Sequence, residues 1–156
     1  MYKQIIILRK DLGMSLGKTC AQVSHGSMAF LTSMIRNAAL PYRDEHSLAL
    51  LEKPIFYKSF LHIDKDLYEQ WINDSFTKCV LEAKNKNQLL KAKTMAEELG
   101  MKEGIDFFLI KDSCRTELEP EEVDENGIGR TLTCIGFRPF PSEIIDKIGK
   151  KYQLYK

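Results

Sequence analysis

Three polar residues, Lys18, Gln22 and His25, are spaced i, i+4 and i+7 in an amphipathic stretch, which on a helix puts them along one face. Lys18 falls in the first turn, just after a strand-like run, where free backbone amides and a cation together favour an anion. A solvated helix face has the same appearance, so the spacing alone names no ligand. A second group stands far along the chain. Asp112 closes a short apolar run and is followed by Arg115 and Thr116, so a carboxylate, a guanidinium and a hydroxyl emerge at a strand end, where α/β sheets place ligands. Asp112 and Arg115 could equally pair with each other to fix the turn. Thr131, opening the next strand, can lie nearby.

Gly13-Met14-Ser15-Leu16-Gly17-Lys18-Thr19 invites comparison with the phosphate-binding pattern GxxxxGK[ST]. It is one residue short, and Leu12 stands where the first glycine belongs. A loop that wraps a phosphate with successive amides does not tolerate that deletion, so a nucleotide-binding reading stays in the background.

The elements that would position these residues follow from periodicity. Ile5 to Leu8 is a continuous apolar run, as in a strand covered on both faces. Leu16, Cys20, Val23, Leu31 and Ile35 recur at helical spacing to about Asn37, with Ser15 as cap. Residues Pro41 to Phe60 have no clean period, although Glu45 to Lys53 could form a short helix before Pro54. A short helix is expected over Asp64 to Ile72, a strand over Lys78 to Ala83 with Trp71 anchoring the core, and a helix over Asn87 to Leu99 stopped by Gly100. Strands over Phe107 to Lys111 and Thr131 to Phe137 flank an acidic, turn-rich segment, Glu117 to Gly129, expected as an exposed loop. Pro141 to Ile148 is the last helix, followed by a basic tail. This order predicts one α/β domain over residues 1–156, a three-layer sandwich with a mixed sheet of about four strands between helices.

Composition permits that reading. A chain of 156 residues, 44% hydrophobic and 29% charged, matches an ordinary globular domain. No apolar run approaches the roughly 20 residues of a spanning helix, and the start lacks the features of a secretory signal, so the expected location is the cytoplasm. Cys20, Cys79, Cys114 and Cys134 form no CxxC pair and have no histidines at zinc-ligand spacing; they read as reduced core thiols, with no metal expected. A net charge of +1 is low for a nucleic-acid binder, but a local basic face suffices for phosphate.

Two separated blocks together are more specific than either. Arg9-Lys10-Asp11-Leu12, Met14, Gly17-Lys18, Ala21-Gln22 and Ser24-His25, with Asp112, Arg115-Thr116, Thr131, Ile135-Gly136, Pro139, Ile144 to Ile148 and Leu154-Tyr155, resemble the archaeal and eukaryotic type of peptidyl-tRNA hydrolase. The resemblance covers about Lys3 to Leu31 and Lys78 to the C-terminus, leaving residues 37–73 largely unmatched. It departs at Ser113-Cys114, where the family has two very small residues, at Glu117 in place of a glutamine, at an inserted loop from Glu121 to Gly129, and at Arg138. Cys114 is not expected to adopt the positive φ that glycine adopts cheaply.

The resemblance implies hydrolysis of the ester between a peptide and the terminal ribose of tRNA, no cofactor, and a homodimer. It assigns Lys18 to the oxyanion or a nearby phosphate, Asp112 to orienting Lys18 or taking a proton from water, and Thr116 and Thr131 to positioning water or ribose. Lys10, Gln22, His25 and Arg115 would bind substrate, and Lys3, Lys84, Lys86, Lys91, Lys93 and the tail lysines could grip the tRNA backbone. Because a raised Asp112 pKa would be opposed by a neighbouring Lys18, positioning is the expected role of that carboxylate. The acidic loop is expected to point away from the substrate or regulate access. A noncatalytic binding or adaptor protein on the same fold is the alternative.

Overall fold

The computed structural model describes residues 1–42 and 56–156. At its centre is β1 (Tyr2–Arg9), in which Ile5 to Leu8 are at most 1% exposed, as a strand covered on both faces must be. It runs parallel to β4 (Lys78–Ala83) and antiparallel to β7 (Gly129–Phe137), which itself pairs antiparallel with β5 (Phe107–Asp112). The sheet order is β5-β7-β1-β4-β9, with β9 (Gln153–Leu154) a two-residue edge. Two more two-residue strands extend it, β6 (Glu122–Val123) on β7 and β8 (Phe140–Pro141) on β1. Four long strands thus form the body of the mixed sheet, as expected, and the short ones lengthen it.

Alternation along β1 assigns the layers. Ile5 and Ile7 join the cluster built with α3 (Lys86–Glu98) and α4 (Ser142–Gly149) through Leu89, Ala92, Ala96, Ile145 and Ile148. Ile6 and Leu8 turn the other way, to Cys134 and to Met14 and Val23 at and before α1 (Leu16–Ala38). The Ser15 hydroxyl caps α1 by accepting from the Lys18 amide at 3.2 Å. Helix α1 lies very close to the sheet where two glycines meet: a Cβ on Gly136 would fall 2.1 Å from the Gly26 carbonyl oxygen.

A third cluster, Phe30, Leu67 and Trp71, closes the far end of α1. The short helix expected there is present, but only α2 (Lys65–Leu67) is α-helical; Tyr68–Ser75 continues it as a π-helix and ends at Phe76, with φ of 47°. Trp71, 2% exposed, donates to the Thr77 carbonyl at 2.9 Å, and Lys78 lies over the Trp71 and Phe76 rings. Two strands that periodicity did not reveal, β2 (Ala39–Tyr42) and β3 (Phe56–Ser59), pair with each other among the described residues. The helix expected over Glu45 to Lys53 lies outside the described residues. Among the cysteines, all free thiols, only Cys134 is a buried core residue; burial pushes its thiol up to about 12, whereas Cys20 is exposed.

Candidate active site

The start of α1 and the end of β5 meet at one edge of the sheet, bringing together residues 90 or more positions apart. Lys18 Nζ lies 2.7 Å from Asp112 Oδ2 and 3.1 Å from Thr116 Oγ1. Gln22, one turn further along α1, donates from Nε2 to the same Oδ2 at 2.8 Å. The second oxygen, Oδ1, accepts the Cys114 amide at 2.8 Å. Asp112 therefore pairs with Lys18, not with Arg115. Burial alone would raise the Asp112 carboxyl, but the Lys18 hydrogen bond, the Cys114 amide, the Lys18 charge and Gln22 outweigh it and hold it below the ordinary carboxylate range.

That arrangement decides what the carboxylate can do. An ionised group with both oxygens engaged is a poor acceptor for a further proton, so Asp112 fixes and balances the Lys18 ammonium. Lys18 keeps a partly open end, its side chain 12% exposed beside the exposed Thr116. The Lys18–Thr116 pair is the part of the cluster that an incoming carbonyl or phosphate oxygen can reach.

The loop carrying Thr116 is fastened at both sides. Glu117 accepts the Ser15 amide at 2.9 Å through Oε2, and its Oε1 takes the Ser15 hydroxyl. These hydrogen bonds, the hydroxyl first, lower the Glu117 carboxyl from its ordinary value. On the other side the chain bends through Cys114, whose φ is 53°. The expectation that a cysteine would avoid this region is overturned: Cys114 adopts it, at a cost of about 1–2 kcal/mol, while its amide is captured by the Asp112 side chain.

The acidic segment is also not the bare exposed loop expected from its composition. Leu118 is buried and Glu122–Val123 pairs with β7. Glu121 reaches Arg9 at 2.8 Å and Lys86 at 2.9 Å, Asp124 pairs with Arg130 at 2.8 Å, and Glu122 pairs with Lys111. Arg9, 4% exposed, also grips Asp11 and the Leu132 carbonyl. Glu121, Glu122 and Asp124 are thus matched by cations of the sheet and α3, while Glu119 and Glu125 are exposed.

The remaining sequence candidates fall in different places. Thr131 is fully buried; its hydroxyl lies 2.6 Å from the Glu119 carbonyl and accepts the Glu121 amide at 3.1 Å, which ties down the loop rather than opening onto the Lys18–Thr116 pair. His25 and Arg115 are exposed on the rim. Lys10 lies over the Tyr155 ring, 3.3 Å from Glu82, and donates to the Lys156 carbonyl. Sequence reasoning missed Thr133, which is fully buried with Oγ1 2.6 Å from Gln22 Oε1, and the Glu117 clamp. No periodic signal marks Thr133, because a hydroxyl inside a buried strand looks like any β-branched residue. Among the described residues, no three His, Cys, Asp or Glu side chains are grouped to hold a metal ion.

The family model for peptidyl-tRNA hydrolase PTH2 matches residues 2–155. The chain is similar to the peptidyl-tRNA hydrolase of Thermococcus onnurineus, 32% identical over 147 residues that cover 94% of this chain and 92% of the relative. It is likewise similar to those of Methanopyrus kandleri, 32% identical with 95% and 93% covered, and Thermoplasma acidophilum, 29% identical with 97% of each covered. The match runs through residues 37–73, where the sequence motifs were largely unmatched: the chain belongs to the PTH2 family of peptidyl-tRNA hydrolases.

Proposed function

We propose that this protein hydrolyses the ester between a peptide, or an N-blocked aminoacyl group, and the terminal ribose of tRNA, and that Lys18, Asp112 and Thr116 carry the reaction. The observation behind the residue assignment is the Lys18 ammonium held 2.7 Å from an ionised Asp112, with Thr116 at its open side. Attack of water on the ester carbonyl puts negative charge on oxygen, and a fixed ammonium aimed at that oxygen lowers the barrier without having to reorganise. Collapse of the tetrahedral intermediate expels the ribose oxygen, which takes up a proton and leaves free tRNA and a carboxylic acid.

Within this reading Asp112 is a positioning residue for Lys18, and Thr116 orients water or the ribose hydroxyl. Thr131 secures the loop on which Thr116 stands. His25 and Arg115 are placed to meet the nucleic acid at the rim, and Gln22 serves the site through Asp112. No helix of the described residues is long and apolar enough to cross a membrane, and action in the cytoplasm is part of the proposal. So is a homodimer, for which exposed Leu40, Phe56, Tyr57 and Phe60 on and beside β2–β3 offer an apolar surface; sedimentation equilibrium tests it.

The deciding experiment is release of free tRNA from an N-acetylated aminoacyl-tRNA, measured for the wild type and for K18A at saturating substrate. Turnover by the wild type and a loss of about 10² to 10³ for K18A is the expected result. No release by folded wild type would leave a noncatalytic binding protein.

A further inference from the structure

Strand β7 carries an irregularity directly beneath the candidate site. Along the β5–β7 ladder Ile110 is opposite Cys134, but Lys111 is opposite Leu132, so Thr133 is the extra residue of a β-bulge. In a regular strand neighbouring side chains point to opposite faces. Here they do not. Leu132 and Ile135 belong to the cluster under α3 and α4, whereas Thr133 and Cys134 both meet α1: Thr133 Oγ1 is 2.6 Å from Gln22 Oε1, and Cys134 Sγ is 3.4 Å from the Gln22 carbonyl. The bulge turns Thr133 toward Gln22.

The hydrogen-bond arithmetic at that point has one solution. Asp112 Oδ2 can only accept, so the group of Gln22 facing it at 2.8 Å is the Nε2 amide, which leaves Oε1 facing Thr133. Thr133 Oγ1 also lies 3.1 Å from the Ile110 carbonyl. If the hydroxyl proton went there, two lone pairs would face each other across 2.6 Å in a fully buried spot; it therefore goes to Gln22. Gln22 is 1% exposed and Thr133 is 0% exposed, so water does not compete for either group.

We propose that Thr133 is a positioning residue for the reaction: donated through the bulge to Gln22 Oε1, its hydroxyl fixes the direction of the Gln22 amide and so completes the set of donors that holds Asp112 on Lys18. This extends the catalytic reading given above and rests on it for its rate consequence, though not for its structural one. Without the Thr133 donor Gln22 Oε1 is left buried without that partner, and the amide is aimed at Asp112 by its Nε2 contact alone. The other charged neighbours of Asp112, Lys18 from α1 and Glu117 from the following loop, are unaltered by a change at Thr133.

The test compares T133V, T133S and T133A in the intact protein, using acetylated aminoacyl-tRNA for kinetics and carbon NMR of the Asp112 carboxyl for titration. T133V is expected to lower kcat about tenfold with KM within about twofold, while T133S keeps most of the wild-type rate. The Asp112 midpoint should move up in T133V and stay in place in T133S. If T133V does not fold, T133S against T133A decides the matter, since both lose the methyl and only one keeps the hydroxyl. An Asp112 titration that is the same with and without the hydroxyl overturns the proposal. A wild type that releases no tRNA removes the catalytic reading alone, because the titration reads the Thr133–Gln22–Asp112 link without substrate.

Discussion

Replacing Lys18 by Ala and Asp112 by Asn, singly and together, tests whether these side chains act as one unit. At 2.7 Å the gross attraction between the two charges is about 6 kcal/mol at an effective dielectric constant of about 20. Desolvation cancels much of it, since the two side chains are only 12% and 10% exposed. What remains useful for catalysis is direction. Loss of one aimed donor in K18A should cost about 10² to 10³ in kcat/KM. D112N should cost a similar amount for a different reason. Asn at this position either places an NH2 where Oδ2 accepts from both Lys18 and Gln22, losing two donor contacts, or turns that NH2 toward the Cys114 amide, losing one. Lys18 is freed in the first orientation and in the second faces a neutral oxygen without the attraction of a charge, so its aim is loosened in both. If the pair is one device, the double variant falls no further than about 10³, whereas independent roles would multiply to about 10⁴ to 10⁶. The assay is kcat/KM for acetylated aminoacyl-tRNA, with circular dichroism as the check on folding. Multiplicative losses, or a wild-type rate for D112N, would refute the reasoning.

Cys114 with φ of 53° makes C114G a stabilising change, by about 0.5–1 kcal/mol once glycine's unfolded-state entropy is deducted; a urea midpoint below that of the wild type would contradict it. G136A should destabilise by about 3 kcal/mol or more, because its Cβ would sit 2.1 Å from the Gly26 carbonyl oxygen, while G17A, with nothing within 4 Å, should gain about 0.4–1 kcal/mol. Urea unfolding of both tests the contrast. The carboxyls of Asp112, Glu121, Glu122 and Asp124 are held below their ordinary values, so their stabilisation is complete above the unfolded values near 4 and is lost as pH falls through the lower folded ones. Urea midpoints should therefore be level from pH 7 to about 5 and fall in acid, and D112N should lessen that fall. Lys84, Lys91, Lys150 and Lys151 are exposed without an ion-pair partner among the described residues, unlike Lys3, Lys10, Lys86 and Lys93. Alanine at a lysine of the first group that meets phosphate should lower the log–log salt slope of KM by about 1, and alanine at Lys3 or Lys93 should leave it unchanged.

The frame was legible wherever one side chain period ran unbroken. Ile5 to Leu8 could only be a strand covered twice, and the stripe from Leu16 to Ile35 marked the helix but not its inner face, since Leu16, Cys20 and Ile35 are exposed and α1 buries Thr19, Gln22, Gly26, Ala29 and Phe30. Lys18 and Asp112 were legible as candidates because each follows the end of a strand, and their joint occurrence in two blocks gave the resemblance. Illegible features share a physical cause: they depend on contacts between distant segments. β2 and β3 are short and carry exposed Phe56 and Tyr57, so neither alternation nor burial marks them. The acidic loop looked solvated because its partners, Arg9, Lys86, Lys111 and Arg130, lie elsewhere in the chain. Thr133 acquires its role from a bulge, and a bulge is a property of two strands rather than of one.

The same cross-chain pairing bears on how a protein with a net charge of +1 would meet the polyanion proposed as its substrate. Repulsion of a phosphate depends on uncompensated charge within about one Debye length, roughly 8–10 Å, not on the count of acids in a loop. Glu121 shares Arg9 and Lys86, Asp124 holds Arg130, Glu122 holds Lys111, and Glu117 rests against the amide and hydroxyl of Ser15 at the positive end of α1. These four acids are thereby satisfied within the protein, while Glu119 and Glu125 are exposed. Asp112 follows the same rule, its oxygens engaged by Lys18, Gln22 and the Cys114 amide; on the proposed mechanism it therefore does not compete for the proton of the attacking water. On the proposed mechanism the charge that meets substrate is the one on Lys18, and its aim is what Asp112, Gln22, the bulge and the turn at Cys114 jointly maintain.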